Sequence, residues 1–361
     1  MEAEFVARFQ AAALRHGIPA AVGMWGGASG VRCIACHGAA TARSIFAIAS
    51  MTKALTAVAA LQLVERGALA LDQPAGDWLP DLREMPVLQG IDRAGTPRLG
   101  KRRYGVTLRQ LLAHTAGFGY VWNHPLLRRY GQSVTPFLLH RPGTRWHYGT
   151  NIDHVGRLVE AASGQTLEAY FQQWILQPLG MHDTSFVLRT EHFPRLVSTW
   201  QRDAGGVLRE QTRIQPPAPE SFNGGGGLYS TAPDYFRFLQ MILRGGAPML
   251  GRTAFRELCR PQTGRLSAGP MRTTMPERAA DVDFHPGYRD SYTLAFLRNS
   301  RAYPGGRSAG SLAWAGIRNT FYWVDPKRGV AAVLLMQFQP FCDRAALAML
   351  RDFESEVYRS L

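Results

Sequence analysis

Ser50-Met51-Thr52-Lys53-Ala54-Leu55-Thr56-Ala57-Val58-Ala59-Ala60-Leu61-Gln62-Leu63-Val64-Glu65-Arg66, closed by Gly67, decides how the rest of the chain is read. Past Lys53 the stretch is apolar on nearly every face until Gln62, and a helix of that kind lies inside a large domain. Its first turn carries a serine and, three residues on, a lysine, a spacing that puts both side chains on one face. Burial disfavours the charged form of an amine. A neutral amine beside a hydroxyl can take its proton and make the serine a nucleophile. Taken singly, Ser50 also reads as a helix cap and Lys53 as a surface charge. Residue usage favours the catalytic reading. Only three of the 41 basic residues are lysines, and arginine cannot act as a deprotonatable base.

At 361 residues and 46% hydrophobic, the chain is long enough for a sizeable core in one or two domains. It opens Met1-Glu2-Ala3-Glu4-Phe5, without the apolar run of a leader, and no stretch approaches the roughly 18 apolar residues of a membrane span. The expectation is a cytoplasmic enzyme with no membrane partner. A net charge of +14 invites a nucleic-acid reading. The arginines are scattered, however, with Lys101-Arg102-Arg103 the densest run. Scattered arginine is a solvated surface, so no nucleic-acid partner is expected. Cys33-Ile34-Ala35-Cys36-His37 matches the spacing of a c-type haem attachment. It falls in a strand-like segment, and Cys259 and Cys342 are isolated, so reduced thiols are expected, with no metal and no cofactor.

Residues 2–16 read as a helix, and residues 20–25 and 31–36 as strands around a Gly/Ser turn. Thr107-Leu108-Arg109-Gln110 is a capping box. Asn151 stands where it could cap a helix whose apolar positions are Val155, Leu158, Val159 and Ala162. Gly224-Gly225-Gly226-Gly227 permits close approach to a site. Strands are expected over Tyr292 to Leu297, Ser311 to Ala315, Thr320 to Val324 and Val330 to Leu335, with an amphipathic helix after Asp343. The fold class is therefore α/β: an antiparallel sheet assembled from both ends of the chain and flanked by helices. Residues 1–68 with 282–361 form that domain, and residues 69–281 form an inserted, mostly helical one. The active site is expected in the cleft between them.

A competing serine lies in Gly306-Arg307-Ser308-Ala309-Gly310, which fits the Gly-x-Ser-x-Gly elbow of α/β-hydrolases. That elbow must follow a strand and open a helix. Here a Pro/Gly loop precedes Ser308 and a strand-like run follows it, so the match is discounted. His114 and His147 sit in tight local sequences and read as packing residues.

Ser50-Met51-Thr52-Lys53, then Tyr148, then Trp314-Ala315-Gly316 ahead of a terminal strand pair resembles the serine β-lactamase and penicillin-binding-protein superfamily. The nearest likeness is to family VIII carboxylesterases and their acyltransferase relatives. Leu111 to Gly117, Pro178 to Met181 and Gly226 to Thr231 also look like family segments. The resemblance implies Ser50 as the acylated nucleophile, with Lys53 and Tyr148 sharing proton transfer. It implies an oxyanion site at the backbone N–H groups of Ser50 and Ile317, and substrate contacts from Trp314, Ala315, Gly316 and Asn151. The lactamases carry Lys-Thr-Gly where this chain has Trp314-Ala315-Gly316, and Tyr-x-Asn where it has Tyr148-Gly149-Thr150. An uncharged indole in place of that lysine favours an uncharged ester. The expected activity is a serine carboxylesterase acting on small or medium acyl esters. The alternatives are an acyltransferase using the same acyl-enzyme, a weak β-lactamase or D-amino-acid peptidase, and a penicillin-binding-like sensor that never turns over.

Overall fold

Helix α1 (Glu2–Arg15) and strands β1 (Ala20–Gly27) and β2 (Gly30–Gly38) open the chain in a computed structural model that describes residues 2–131 and 136–361. The sheet is completed from the other end by β3 (Ser291–Tyr292), β4 (Leu297–Arg298), β5 (Leu312–Gly316), β6 (Thr320–Asp325) and β7 (Val330–Leu335). The strand order is β2-β1-β7-β6-β5-β4-β3, and every neighbouring pair is antiparallel. This is the sheet expected from the two ends of the sequence. Strands β6 and β7 are buried at every position, as their unbroken apolar runs require when helices cover both faces.

One correction concerns residues 292–297, where a single strand is expected and two short ones occur. The Thr293 hydroxyl accepts hydrogen bonds from the N–H groups of Ala295 and Phe296. The Thr293 N–H also donates to the Phe296 carbonyl. These bonds turn the chain back on itself, a local competition to which threonine is prone.

The register assigns the faces. Trp25 and Trp323 are both opposite Ala332 and pack on Phe5 of α1 and on Phe353 of α5 (Arg344–Arg359), respectively. Trp314 pairs with Tyr322, which points to the other face and meets Tyr235 of α4 (Ala232–Leu243) with ring centres 5.2 Å apart. Gly23 has to be glycine here: a Cβ would come within 2.5 Å of Phe9 and 2.8 Å of Phe353.

Helix α2 (Thr52–Glu65) has every residue from Thr52 to Leu63 buried. It packs against α3 (Asn151–Ser163). Cys33 and Cys36 lie on β2 as free thiols. Three residues apart on a strand, they point to opposite faces, and burial pushes the Cys33 thiol up to about 11. Among the described residues no helix is long and apolar enough to cross a membrane.

Candidate active site

Ser50 lies in a single 3-10 turn (Ala49–Met51) that precedes α2. Ala49 takes φ +46°, a left-handed backbone that costs a residue with a Cβ roughly 1–2 kcal/mol. Two contacts hold it there: the Thr52 hydroxyl donates to the Ala49 carbonyl at 2.7 Å, and the Leu228 N–H donates to that hydroxyl. The bend lets Ser50 line a cavity of about 320 Å³ while Met51 next to it is fully buried.

Lys53 is fully buried. Its Nζ lies 3.1 Å from Ser50 Oγ and 3.1 Å from the Tyr120 hydroxyl, and donates to the Gly225 carbonyl. The serine and lysine therefore meet as their spacing requires. Tyr148, on the loop before α3, is buried and lines the same cavity. Its ring centre is 5.0 Å from Lys53 Nζ, and its hydroxyl accepts a hydrogen bond from Trp314 Nε1 at 3.3 Å. Trp314 is thus a support for Tyr148 as well as a wall, its ring centre 4.9 Å away. Ala315 and Ile317 also line the cavity.

Two expected substrate contacts are corrected. Asn151 neither caps α3 nor lines the cavity. It is the first residue of the helix, after Thr150 at the N-cap, and is fully buried. Its amide donates to the Phe118 and His147 carbonyls and lies 3.0 Å from His114 Nδ1. It is a clamp behind the site, joining the Tyr148 loop to His114, whose ring packs 4.8 Å from that of Tyr148. Burial pushes the His114 pKa well down, with Lys53 and His147 adding to it, so this histidine is a neutral packing residue. Gly316 also serves the backbone: a Cβ there would collide with the Ile48 carbonyl and the Thr320 hydroxyl. Ser308 lies elsewhere, in a loop where its N–H donates to Asp325.

Tyr120, Asp153, Arg278 and Arg318 were missed as site residues, and all four line the cavity. Asp153 stands in the first turn of α3, where an acid reads as a complement to the helix dipole. Burial raises its pKa to about 6, against the opposing pull of Lys53. The glycine run explains the close fit of these groups. The Gly224 carbonyl accepts from Thr56 of α2 at 2.7 Å, and a Cβ on Gly224 would press on Gly156 of α3. A Cβ on Gly225 would strike the Asp153 carboxylate.

The cavity wall is aromatic: Tyr120, Trp122, Tyr148, Trp314 and Phe341 surround the serine–lysine pair. Among the described residues no cluster of side chains suited to a metal ion occurs. The arrangement can support acyl chemistry on a serine beside an amine.

Comparison with known proteins identifies relatives of this sequence and fold. Over 345 residues the chain is 34% identical to monacolin J acid methylbutanoyltransferase from Aspergillus terreus, covering 86% of this chain and 81% of that protein. A lovastatin esterase from Penicillium rubens is 28% identical over 337 residues, covering 86% and 84%. The unliganded simvastatin synthase LovD from Aspergillus terreus superposes with a TM-score of 0.85 at 30% identity, over 99% of this chain and 98% of that one. The Beta-lactamase family model matches residues 7–353. The chain belongs to the Beta-lactamase family, in the company of its acyltransferase and esterase members.

Proposed function

We propose that the protein is an acyltransferase that forms esters through an acyl-enzyme on Ser50, with ester hydrolysis as the competing outcome. The observation that carries this is the contact of Ser50 Oγ with buried Lys53 Nζ at 3.1 Å inside an aromatic wall. The likeness to a methylbutanoyltransferase at 34% identity favours transfer over hydrolysis.

In the form that accepts the Ser50 proton, the Lys53 amine has two protons of its own to donate. Given to the Gly225 carbonyl and the Tyr120 hydroxyl, they leave the lone pair facing the Ser50 hydroxyl. Ser50 Oγ attacks the acyl carbonyl as its proton passes to Lys53. The N–H groups of Ser50 and Ile317 hold the developing oxyanion. Tyr148 relays the proton to the departing group, and its hydroxyl stays in place through Trp314. In the second half the acceptor alcohol gives up its proton along the same path and takes the acyl group. Transfer outruns hydrolysis when the acceptor is held in line, because a bound nucleophile acts at a high effective concentration.

The test is to acylate the enzyme with p-nitrophenyl butyrate and measure ester product against butyrate over a range of added alcohols. Ester rising to exceed acid at saturating alcohol supports transfer. A partition fixed at acid would leave the carboxylesterase reading, which the lovastatin esterase relative favours.

A further inference from the structure

We infer that the protein has a second binding site, separate from the catalytic cavity, for an uncharged apolar alcohol or phenol whose hydroxyl meets His285 Nε2. It lies between helix α5 and the sheet face that carries Trp323. Such a site stands whatever becomes of the acyl group on Ser50.

A cavity of about 400 Å³ occupies that space, against about 320 Å³ for the catalytic one. Both volumes suit a small molecule. Ala313, which pairs with Trp323, and Phe321, two residues before it, form the floor from the strands. Leu347 and Leu350 form the wall from α5. These two leucines are only half-buried, whereas Ala346, Met349 and Phe353 of the same helix are buried. An apolar wall left open in this way favours an apolar group that covers it. Trp314 alone lines both this cavity and the catalytic one.

The polar groups of the cavity select the ligand. His285 is 8% exposed and Asp290 3%. His285 Nδ1 bonds Asp290 Oδ2, and the other oxygen of that carboxylate accepts from the Ser300 N–H at 2.8 Å. The pairing commits Nδ1 and leaves Nε2 over. Among the described residues no protein group bonds Nε2, and His285 lines the cavity. The Tyr303 ring stands 4.5 Å from the imidazole, but its hydroxyl already donates to the Phe284 carbonyl at 3.2 Å. A ligand hydroxyl both donates and accepts, so it satisfies Nε2 as a bare nitrogen or as an N–H; a carbonyl or an ammonium satisfies only one of these. Charge on the ligand is disfavoured, because the buried charges here are already matched. The Arg307 backbone N–H and Nε donate to Glu354 at 3.0 and 2.9 Å. Asp283 and Arg351, also in the lining, are exposed and of opposite sign. A charged ligand would be desolvated without a counter-charge of its own.

The experiment titrates the protein with 2-naphthol, naphthalene and 2-naphthoate by isothermal titration calorimetry, before and after a fluorophosphonate blocks Ser50. 2-Naphthol should bind about 10-fold more tightly than either of the others, the worth of one buried hydrogen bond, and the block should leave that binding in place. His285→Phe should abolish the preference for 2-naphthol over naphthalene. Leu350→Trp fills the cavity from the helix and leaves the His285–Asp290 pair untouched; it should weaken 2-naphthol binding by about 10-fold or more. Circular dichroism checks that each variant is folded, and Leu350→Trp decides the matter if His285→Phe is not. Binding that disappears when Ser50 is blocked belongs to the catalytic cavity and overturns the second site. So does 2-naphthol binding unchanged in Leu350→Trp, a preference that survives His285→Phe, or naphthalene or 2-naphthoate binding as tightly as 2-naphthol.

Discussion

Replacing Asp153 by asparagine should make the protein more stable and less active, and both effects follow from one carboxylate. The group is held at a pKa of about 6 against an ordinary 3.8, chiefly because it is buried. A carboxyl whose folded pKa is raised binds its proton more tightly in the native state. The stability it contributes is fully present below about pH 3.8 and is lost as the pH rises through about 6. At about 1.4 kcal/mol for each tenfold change in the ionisation constant, the native state carries a penalty of about 3 kcal/mol above pH 7. Asparagine keeps the shape and removes the charge. Unfolding entropy near 2.1 cal/mol/K per residue amounts to roughly 0.8 kcal/mol/K for a chain of this length. The melting temperature should therefore rise by about 4 °C at pH 8 and change little at pH 4.

The kinetic half of the same prediction comes from what the carboxylate faces. On the proposed path Lys53 gains positive charge as it takes the Ser50 proton, and Asp153 is the acid whose field reaches it. Loss of that field should lower kcat by about 10- to 100-fold, or about 1.4–2.7 kcal/mol, with little change in KM. Wild-type kcat should fall as the pH drops through about 6, where Asp153 takes up its proton, and the variant should lack that limb. Differential scanning calorimetry at pH 4 and pH 8, beside steady-state p-nitrophenyl butyrate hydrolysis from pH 5 to 9, reads both effects. A melting temperature that falls at pH 8, or an acid limb that survives in the variant, refutes the reasoning.

The remaining predictions concern the residues around it. Ser50→Ala should abolish ester turnover and fluorophosphonate labelling while Ser308→Ala keeps both; labelling that moves with Ser308 would reverse the assignment. Lys53→Ala, Tyr148→Phe and the double variant should each lose similar, large amounts of kcat/KM, because groups on one proton path are not additive; losses that multiply would place one of them outside it. Trp314→Phe removes the N–H that meets Tyr148 at 3.3 Å; with a neutral hydrogen bond worth about 0.5–1.5 kcal/mol, kcat should drop about 2- to 13-fold while circular dichroism is unchanged. An unaltered kcat would deny Trp314 any hold on Tyr148.

What could be read from the sequence divides by the range of the forces involved. Helix α2 was legible because its own composition leaves no polar face, and Thr52 to Leu63 are buried. The serine–lysine contact was legible because a turn of helix fixes it. The Thr107–Gln110 capping box, formed as expected, is local in the same way. Asn151 misled because a polar residue at a helix start has a local use, whereas its actual partners His114 and Phe118 are 37 and 33 positions away. Tyr120 gave no signal at all: it lies 67 positions from the lysine that bonds it, and an isolated aromatic carries no period. Arg318 was hidden for a different reason. In a chain with 41 basic residues one more arginine is unremarkable, and only its place in the cavity lining sets it apart.

Trp314 serves the site in a way its sequence position does not announce. The resemblance places a tryptophan where lactamases hold an anion with lysine, and the sequence reading took the loss of that lysine as the loss of anion recognition. In the structure the indole is turned to Tyr148, so position 314 is committed to holding a proton-relay candidate. Trp314→Lys should then fail to create a lactamase-like selectivity: it would place a third cation near Lys53 and release Tyr148 from its donor. Both consequences lower turnover of ester and lactam alike, so the substitution tests the hold of position 314 on Tyr148 more than it tests substrate charge.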